Sequence, residues 1–204
     1  MRLQKIAFIA AVVVSLTACV SAKTYVDPSF SKASYNDILP VAEKYETKIQ
    51  VEFQRNGKPF EKANQEVRGH VERTLRATGV IKPSPDQSKI SVKVVVNNIA
   101  DLGKAAAKGA GIGLTFGAAG SLVSDYYEIT IELTDSQGTK VTEKYQHALH
   151  TTIGNKKAPF DNVQATTPAD GFGKVVEQTL LNFIKDMQAK GMLTLDVHGL
   201  VRFS

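Results

Sequence analysis

Tyr126-Tyr127-Glu128-Ile129-Thr130-Ile131-Glu132-Leu133-Thr134, followed by Asp135-Ser136-Gln137-Gly138, decides the fold of this chain. Tyr127, Ile129, Ile131 and Leu133 alternate with Glu128, Thr130 and Glu132, the period of a strand with one wet face. The next four residues carry turn chemistry. Thr139 to about Thr151 then returns as a second strand, with Val141, Tyr145 and Leu149 inward. Two alternating runs joined by such a turn read as an antiparallel hairpin.

The same periods continue outward. Thr47 to Gln54 alternates Ile49, Val51 and Phe53 with Lys48, Gln50, Glu52 and Gln54. Asn56-Gly57 marks a turn. Lys89 to Asn98 places Ile90, Val92, Val94 and Val96 on one face. Two stretches have a helical period instead. Ala63, Val67, Val71 and Leu75 recur every four residues, and Gly79 stands where a helix-terminating glycine belongs. Phe172, Val176, Leu180, Phe183, Ile184 and Met187 form a broader apolar stripe within Ala169 to Lys190, before Gly191. Leu193, Leu195 and Val197 suggest a short last strand. The order is β-α-β, a glycine-rich insert, then β-β-α. It predicts an α+β, two-layer sandwich: a mainly antiparallel sheet of four to five strands with two helices on one face.

The first twenty residues read as a targeting segment. Arg2 and Lys5 precede a run from Ile6 to Leu16 that is apolar except for Ser15. That run is the length of a signal-peptide core and short of the about 20 residues a spanning helix needs. It ends in Leu16-Thr17-Ala18-Cys19, which resembles the lipobox of bacterial lipoproteins. The resemblance implies lipid (palmitate) attachment at Cys19 and cleavage just before it. An ordinary secretory signal cut near Ala18 or Ala22 is the alternative. Cys19 is the only cysteine in the 204 residues, so the chain can form no internal disulfide. In that family an Asp after the cysteine retains the protein in the inner membrane. Here the residue is Val20, which implies the outer membrane, with the domain in the periplasm.

This divides the chain into a signal peptide (1–18), a lipidated tether (19–45) and one α+β domain (46–204). The tether is read as polar, with loose aromatic contacts through Tyr25, Phe30 and Tyr35. Fully extended, it would let the domain stand up to about 90 Å from the membrane. The formal net charge is +5, and removal of Arg2 and Lys5 lowers it by two. Both signs are interspersed, which is not a nucleic-acid footprint.

The insert at about 100–125 is the most informative segment. Long connections inside compact domains are usually functional or disordered. From Ala105 to Val123 this one is mostly apolar. Gly109, Gly113 and Gly117 recur every four residues. On a helix they would share one bare face, which allows another helix to approach closely. The first reading is therefore a glycine zipper for self-association or membrane contact. Gly109 to Val123 would make about 22 Å of helix, short of the about 30 Å hydrocarbon core. The second reading is an apolar loop packed on the sheet, because each glycine costs a helix interior about 1 kcal/mol.

Chemistry-bearing motifs are scarce. His147 and His150 are three apart on a strand and face opposite sides, so they cannot share a metal. His70 and His198 are expected at the surface. Asp125, Tyr126 and Tyr127 read either as an interface rim, where Tyr is favoured, or, the preferred reading, as strand residues with one ring buried. Lys62, Arg68, Arg73 and Arg76 form the polar side of the first helix. No nucleophile elbow, phosphate loop, HExxH or dinucleotide fingerprint occurs. The expectation is a non-enzymatic protein without metal or cofactor.

The lipobox, the element order, the alanine- and glycine-rich insert and the run Asp125-Tyr126-Tyr127-Glu128-Ile129-Thr130-Ile131 together resemble the plasmid-borne surface-exclusion and complement-resistance lipoproteins. That resemblance implies outer-membrane oligomers. The element order is also similar to the lipoprotein that plugs the lipopolysaccharide translocon. Two expectations follow. One is a structural or assembly component of the cell envelope that self-associates through the glycine zipper. The other is a monomeric adaptor that binds another envelope protein or a lipid.

Overall fold

The computed structural model describes residues 22–84, 88–99 and 120–194. Cys19, the signal segment, and Gly109, Gly113 and Gly117 lie outside them. So does most of the suggested last strand; Leu193 and Thr194 are described and are not strand.

In chain order the elements are β1 (Ala22–Val26), β2 (Tyr45–Arg55), β3 (Lys58–Pro59), α1 (Asn64–Ala77), β4 (Ile81–Ser84), β5 (Ile90–Ile99), β6 (Ser121–Thr134), β7 (Lys140–Ile153) and α2 (Pro168–Ala189). The strands make one mixed, mostly antiparallel seven-stranded sheet of order β1-β7-β6-β5-β2-β3, with β4 also on β2. The α+β reading stands, but the strand number is larger than the four to five expected. The additions, β1, β3 and β4, are too short to show a period of their own.

The hairpin that opened the sequence reading forms the centre. Gly138 has φ +87° in its turn. Alternation converts directly into burial. Val92, Val94, Val96, Ile129, Ile131 and Leu133 are at most 3% exposed and meet in register, Val94 opposite Ile131 and Val96 opposite Ile129. Their face is covered by Val67, Val71 and Leu75 of α1 and by Val176, Leu180, Phe183, Ile184 and Met187 of α2. β2 and β5 are parallel, because α1 carries the chain back between them.

Two boundaries differ from the sequence reading. β6 begins at Ser121, so the last five residues assigned to the insert are strand. More consequentially, the expected tether is built into the domain from Ala22 onward. β1 pairs antiparallel with β7, and Thr24, Tyr25 and Val26 are buried. The chain after β1 is then clamped to α2 by two side-chain amides. Asn182 donates to the Phe30 carbonyl at 2.9 Å and accepts the Lys32 N–H at 3.1 Å. Gln188 accepts the Leu39 N–H and donates to the Leu39 carbonyl, both at 2.8 Å. These pairings satisfy two amides that would otherwise be costly to bury.

Candidate functional site

Strand register fixes which segments share an end of the sheet. Ala22 lies opposite Ile153, and Ile153 lies opposite Ser121. The start of β1, the end of β7 and the start of β6 therefore form one row. β5 ends at Ile99, which pairs with Tyr126 five residues further along β6. The chain thus enters the domain and passes through the glycine-rich segment at the same end. β6, β7 and β1 extend past the end of β5 as a three-stranded projection of about 17 Å.

Gly120, where the chain returns from the insert, is tightly packed. Its φ is +63°, and a Cβ there would lie 2.8 Å from the Ile153 carbonyl oxygen, 3.0 Å from the Lys156 Cα, and against the Lys156 N. Only glycine combines this backbone conformation with so close an approach. The return point of the insert is thereby locked to the turn that follows β7.

A polar string crosses the projection. Ser124 Oγ lies 2.8 Å from His150 Nδ1, and His150 Nε2 lies 3.3 Å from Asp27 Oδ2. Ser124 and His150 are direct cross-strand partners. A carboxylate only accepts, so Nε2 carries a proton toward Asp27, while Nδ1 and the Ser124 hydroxyl share the second hydrogen bond. Asp27 Oδ1 also accepts the Ser29 N–H and O–H, at 2.9 and 2.7 Å. Burial would raise the Asp27 carboxyl, but the Ser29 and His150 hydrogen bonds outweigh it and hold it below the usual carboxylate range. Phe160 and Tyr126 meet the imidazole edge-on, with ring centroids 5.2 and 6.5 Å away.

A serine, histidine and aspartate in line are the groups that activate a hydroxyl nucleophile. Acyl chemistry needs, in addition, donors aimed at a developing oxyanion. Among the described residues the imidazole is the hydrogen-bond partner of Ser124 Oγ. The string ties β6, β7 and the β1 exit together. Nothing in the local sequence announces it, since Asp27, Ser124 and His150 meet only through register.

The other singled-out residues separate clearly. Tyr127 is buried at 8% exposure and Tyr126 is 49% exposed, so one ring of the pair is in the core, as expected. His147 and His150 face opposite sides. His147 lies under α2, where Nε2 meets the Gln178 Oε1 at 2.8 Å and Phe30 packs at 5.3 Å between ring centroids. Its burial holds the imidazole below the ordinary histidine value. His70 is not a simple surface residue. Its ring sits over Gly173, and burial with the nearby Arg73 pushes its pKa down. Arg68 and Arg76 both pair with Glu72, on the solvated side of α1. No group of three metal-ligating side chains occurs among the described residues.

Between α1 and α2 lies a cleft of about 500 Å³, lined by His70, Arg73, Asp170, Lys174, Glu177 and Tyr35 among others. Burial and the adjoining Glu177 carboxylate push the Tyr35 phenol up to about 12.

No family model matches the chain, and no curated protein sequence does. Solved structures with a similar course of the chain include a PelC dodecamer variant from Paraburkholderia phytofirmans, at 12% identity over 79% of this chain and 94% of that one, TM-score 0.35. A minor lipoprotein from Acinetobacter baumannii matches at 13% identity over 76% and 93%, TM-score 0.31. A Xanthomonas campestris protein of the DUF330 family matches at 12% identity over 74% and 94%, TM-score 0.36.

Proposed function

We propose that this chain is a non-enzymatic lipoprotein of the outer membrane, anchored through Cys19, that acts as a structural or assembly component of the cell envelope. The glycine segment, with Gly109, Gly113 and Gly117, is its self-association element. The row Ala22–Ile153–Ser121 carries this reading. Three residues after Cys19 the chain is already in the sheet, and the glycine segment returns to the fold in the same row. A lipid on Cys19 would hold that end within about 10 Å of the bilayer surface. The glycine segment would then be presented to the membrane, or to copies of itself in the membrane plane. Such anchoring would give close apposition in place of a stand-off of up to about 90 Å.

A monomeric adaptor for an envelope protein or a lipid is the second reading. The cleft between α1 and α2 is the observation in its favour.

The anchoring is tested by growing cells with labelled palmitate and fractionating them. The native chain should carry the label and pellet with outer membranes. Cys19→Ser should lose the label and move to the soluble periplasmic fraction. A variant that still pellets after a salt wash would show that lipid is not what holds the chain.

A further inference from the structure

We infer that the outer edge of β7, from Thr142 to Gln146, takes up an extended strand of another protein. This edge is independent of the anchoring and self-association proposed above. Register defines it. β1 covers β7 only from Leu149 to Ile153, and the Asp27 N–H donates to the Ala148 carbonyl at 3.1 Å where the chain turns away. Ala148 therefore points its backbone groups away from β6, and at the period of two so do Gln146, Lys144 and Thr142. Val141, Glu143 and Tyr145 point theirs at β6. Among the described residues nothing meets the outward N–H and C=O groups of Thr142, Lys144 and Gln146. The other outer strands are blunted, as edges of natural sheets usually are. Thr24 of β1 exchanges two hydrogen bonds with Thr166. On β2, Arg68 donates to the Ile49 carbonyl at 2.8 Å and Asn64 accepts the Phe53 N–H at 2.7 Å. β3 and β4 carry Pro59 and Pro83, which have no N–H to offer.

Beside the open stretch lies a groove of about 540 Å³, between β7, α2 and the chain that follows β1. Phe30, Tyr145 and Asn182 line it on the helix side, Glu128 and Gln146 on the other. Its side chains are largely engaged already. Asn182 holds the Phe30 and Lys32 backbones, and the Tyr145 hydroxyl donates to Asp186 at 2.8 Å. Lys140, Lys185 and Lys190 meet Glu132, Asp37 and Glu143, so charge does not select the occupant. What the edge offers is a row of backbone donors and acceptors beside an aromatic wall. An extended strand satisfies the row, and an apolar residue at every second position packs on Phe30 and Tyr145.

A second copy of β7 does not fit. An antiparallel copy centred on Lys144 sets Lys144 against Lys144. One centred on Glu143 sets Glu143 against Glu143, and one centred on Thr142 sets Lys140 against Lys144. Like charges directly opposite destabilise a strand pair, so these residues turn away their own kind and leave the edge to a foreign strand.

Two measurements on the full-length chain test this. In the purified protein, free of other chains, amide exchange is read residue by residue by NMR. Thr142, Lys144 and Gln146 should exchange about tenfold or more faster than Val141, Glu143 and Tyr145. Equal protection would mean that the chain fills its own edge, and would overturn the inference. In growing cells, the photo-crosslinking residue benzoylphenylalanine replaces Thr142 or, as a control, Lys93, which is exposed on the same face and level with Thr142 but two strands inward. Position 142 should give an adduct with a protein other than this chain, mapped by mass spectrometry to one stretch with apolar residues at alternate positions. Position 93 should give none. Adding Lys144→Pro, which deletes an outward N–H and none that faces β6, should cut the adduct about tenfold while the folded chain stays resistant to protease. If that variant is protease-sensitive, Gln146→Pro takes its place. An adduct at twice the mass of the chain, an equal adduct from position 93, or a yield indifferent to proline would overturn the inference.

Discussion

Single residues at the insert end show how local chemistry and register combine. Gly120 is needed because both its φ and its distance from the Ile153 carbonyl oxygen exclude a side chain. His147 illustrates a different constraint. Its sequence position shows a histidine on a strand; only the packing of α2 and Phe30 shows that it is buried and neutral. The folded imidazole titrates below the ordinary 6.5. Above pH 6.5 it is neutral in both folded and unfolded chains, and the folded state keeps its full stability. Below 6.5 the unfolded chain takes up a proton that the folded chain refuses, so stability falls with pH until the folded value is reached. His147→Gln, which can still bond Gln178, should flatten the decline between pH 6.5 and 5 by up to about 1.4 kcal/mol per pH unit. Urea unfolding across that range measures it; an unchanged slope would mean the imidazole is not held neutral by burial.

At the scale of elements, β1 changes most between sequence and structure. Ala22-Lys23-Thr24-Tyr25-Val26 is five residues long and shows no alternation in burial, since Thr24, Tyr25 and Val26 are all covered. Its partners are β7 on one side and the Thr166 backbone on the other, with the Thr24 N–H donating to the Thr166 carbonyl at 3.2 Å and the Thr24 carbonyl accepting the Thr166 N–H at 2.7 Å. A flexible tether would exchange its amide hydrogens in the dead time of the experiment. β1 should instead be protected to a degree comparable with the end of β7. Rapid exchange at Thr24 to Val26 would restore the tether. One sequence signal did point this way. Asn182 and Gln188 lie among Leu181, Phe183, Ile184 and Met187 on the buried side of α2, and buried amides require partners. The identity of those partners, the backbones of Phe30, Lys32 and Leu39, follows only from the folded chain.

For the whole molecule, the question is assembly. The fold meets the glycine segment at the end where a lipid on Cys19 would anchor it, so copies so held in one membrane plane would present their segments at the same height. Gly113→Leu would fill the bare face that close helix approach needs. The variant should lose the high-mass complex of detergent-extracted protein on native gels and run as a smaller species. Unchanged assembly would sink the zipper, and a native monomer in detergent would favour the adaptor.

The sequence by itself determined the two layers: period-two strands around Ile49, Val94, Ile131 and Leu149, and helical stripes from Val67 to Leu75 and from Phe172 to Met187. These were legible because alternation and helical spacing are local, and each needs only an apolar face to bury. The resemblance of Leu16-Thr17-Ala18-Cys19 to a lipobox likewise rests on a local pattern. Tertiary structure decided the rest. It set strand order, the burial of β1, the Asp27–His150–Ser124 string, and the meeting of the chain's entry and its glycine segment at one end. None of these has a sequence period, because each is fixed by pairing between strands far apart in the chain, where register rather than composition chooses the neighbour.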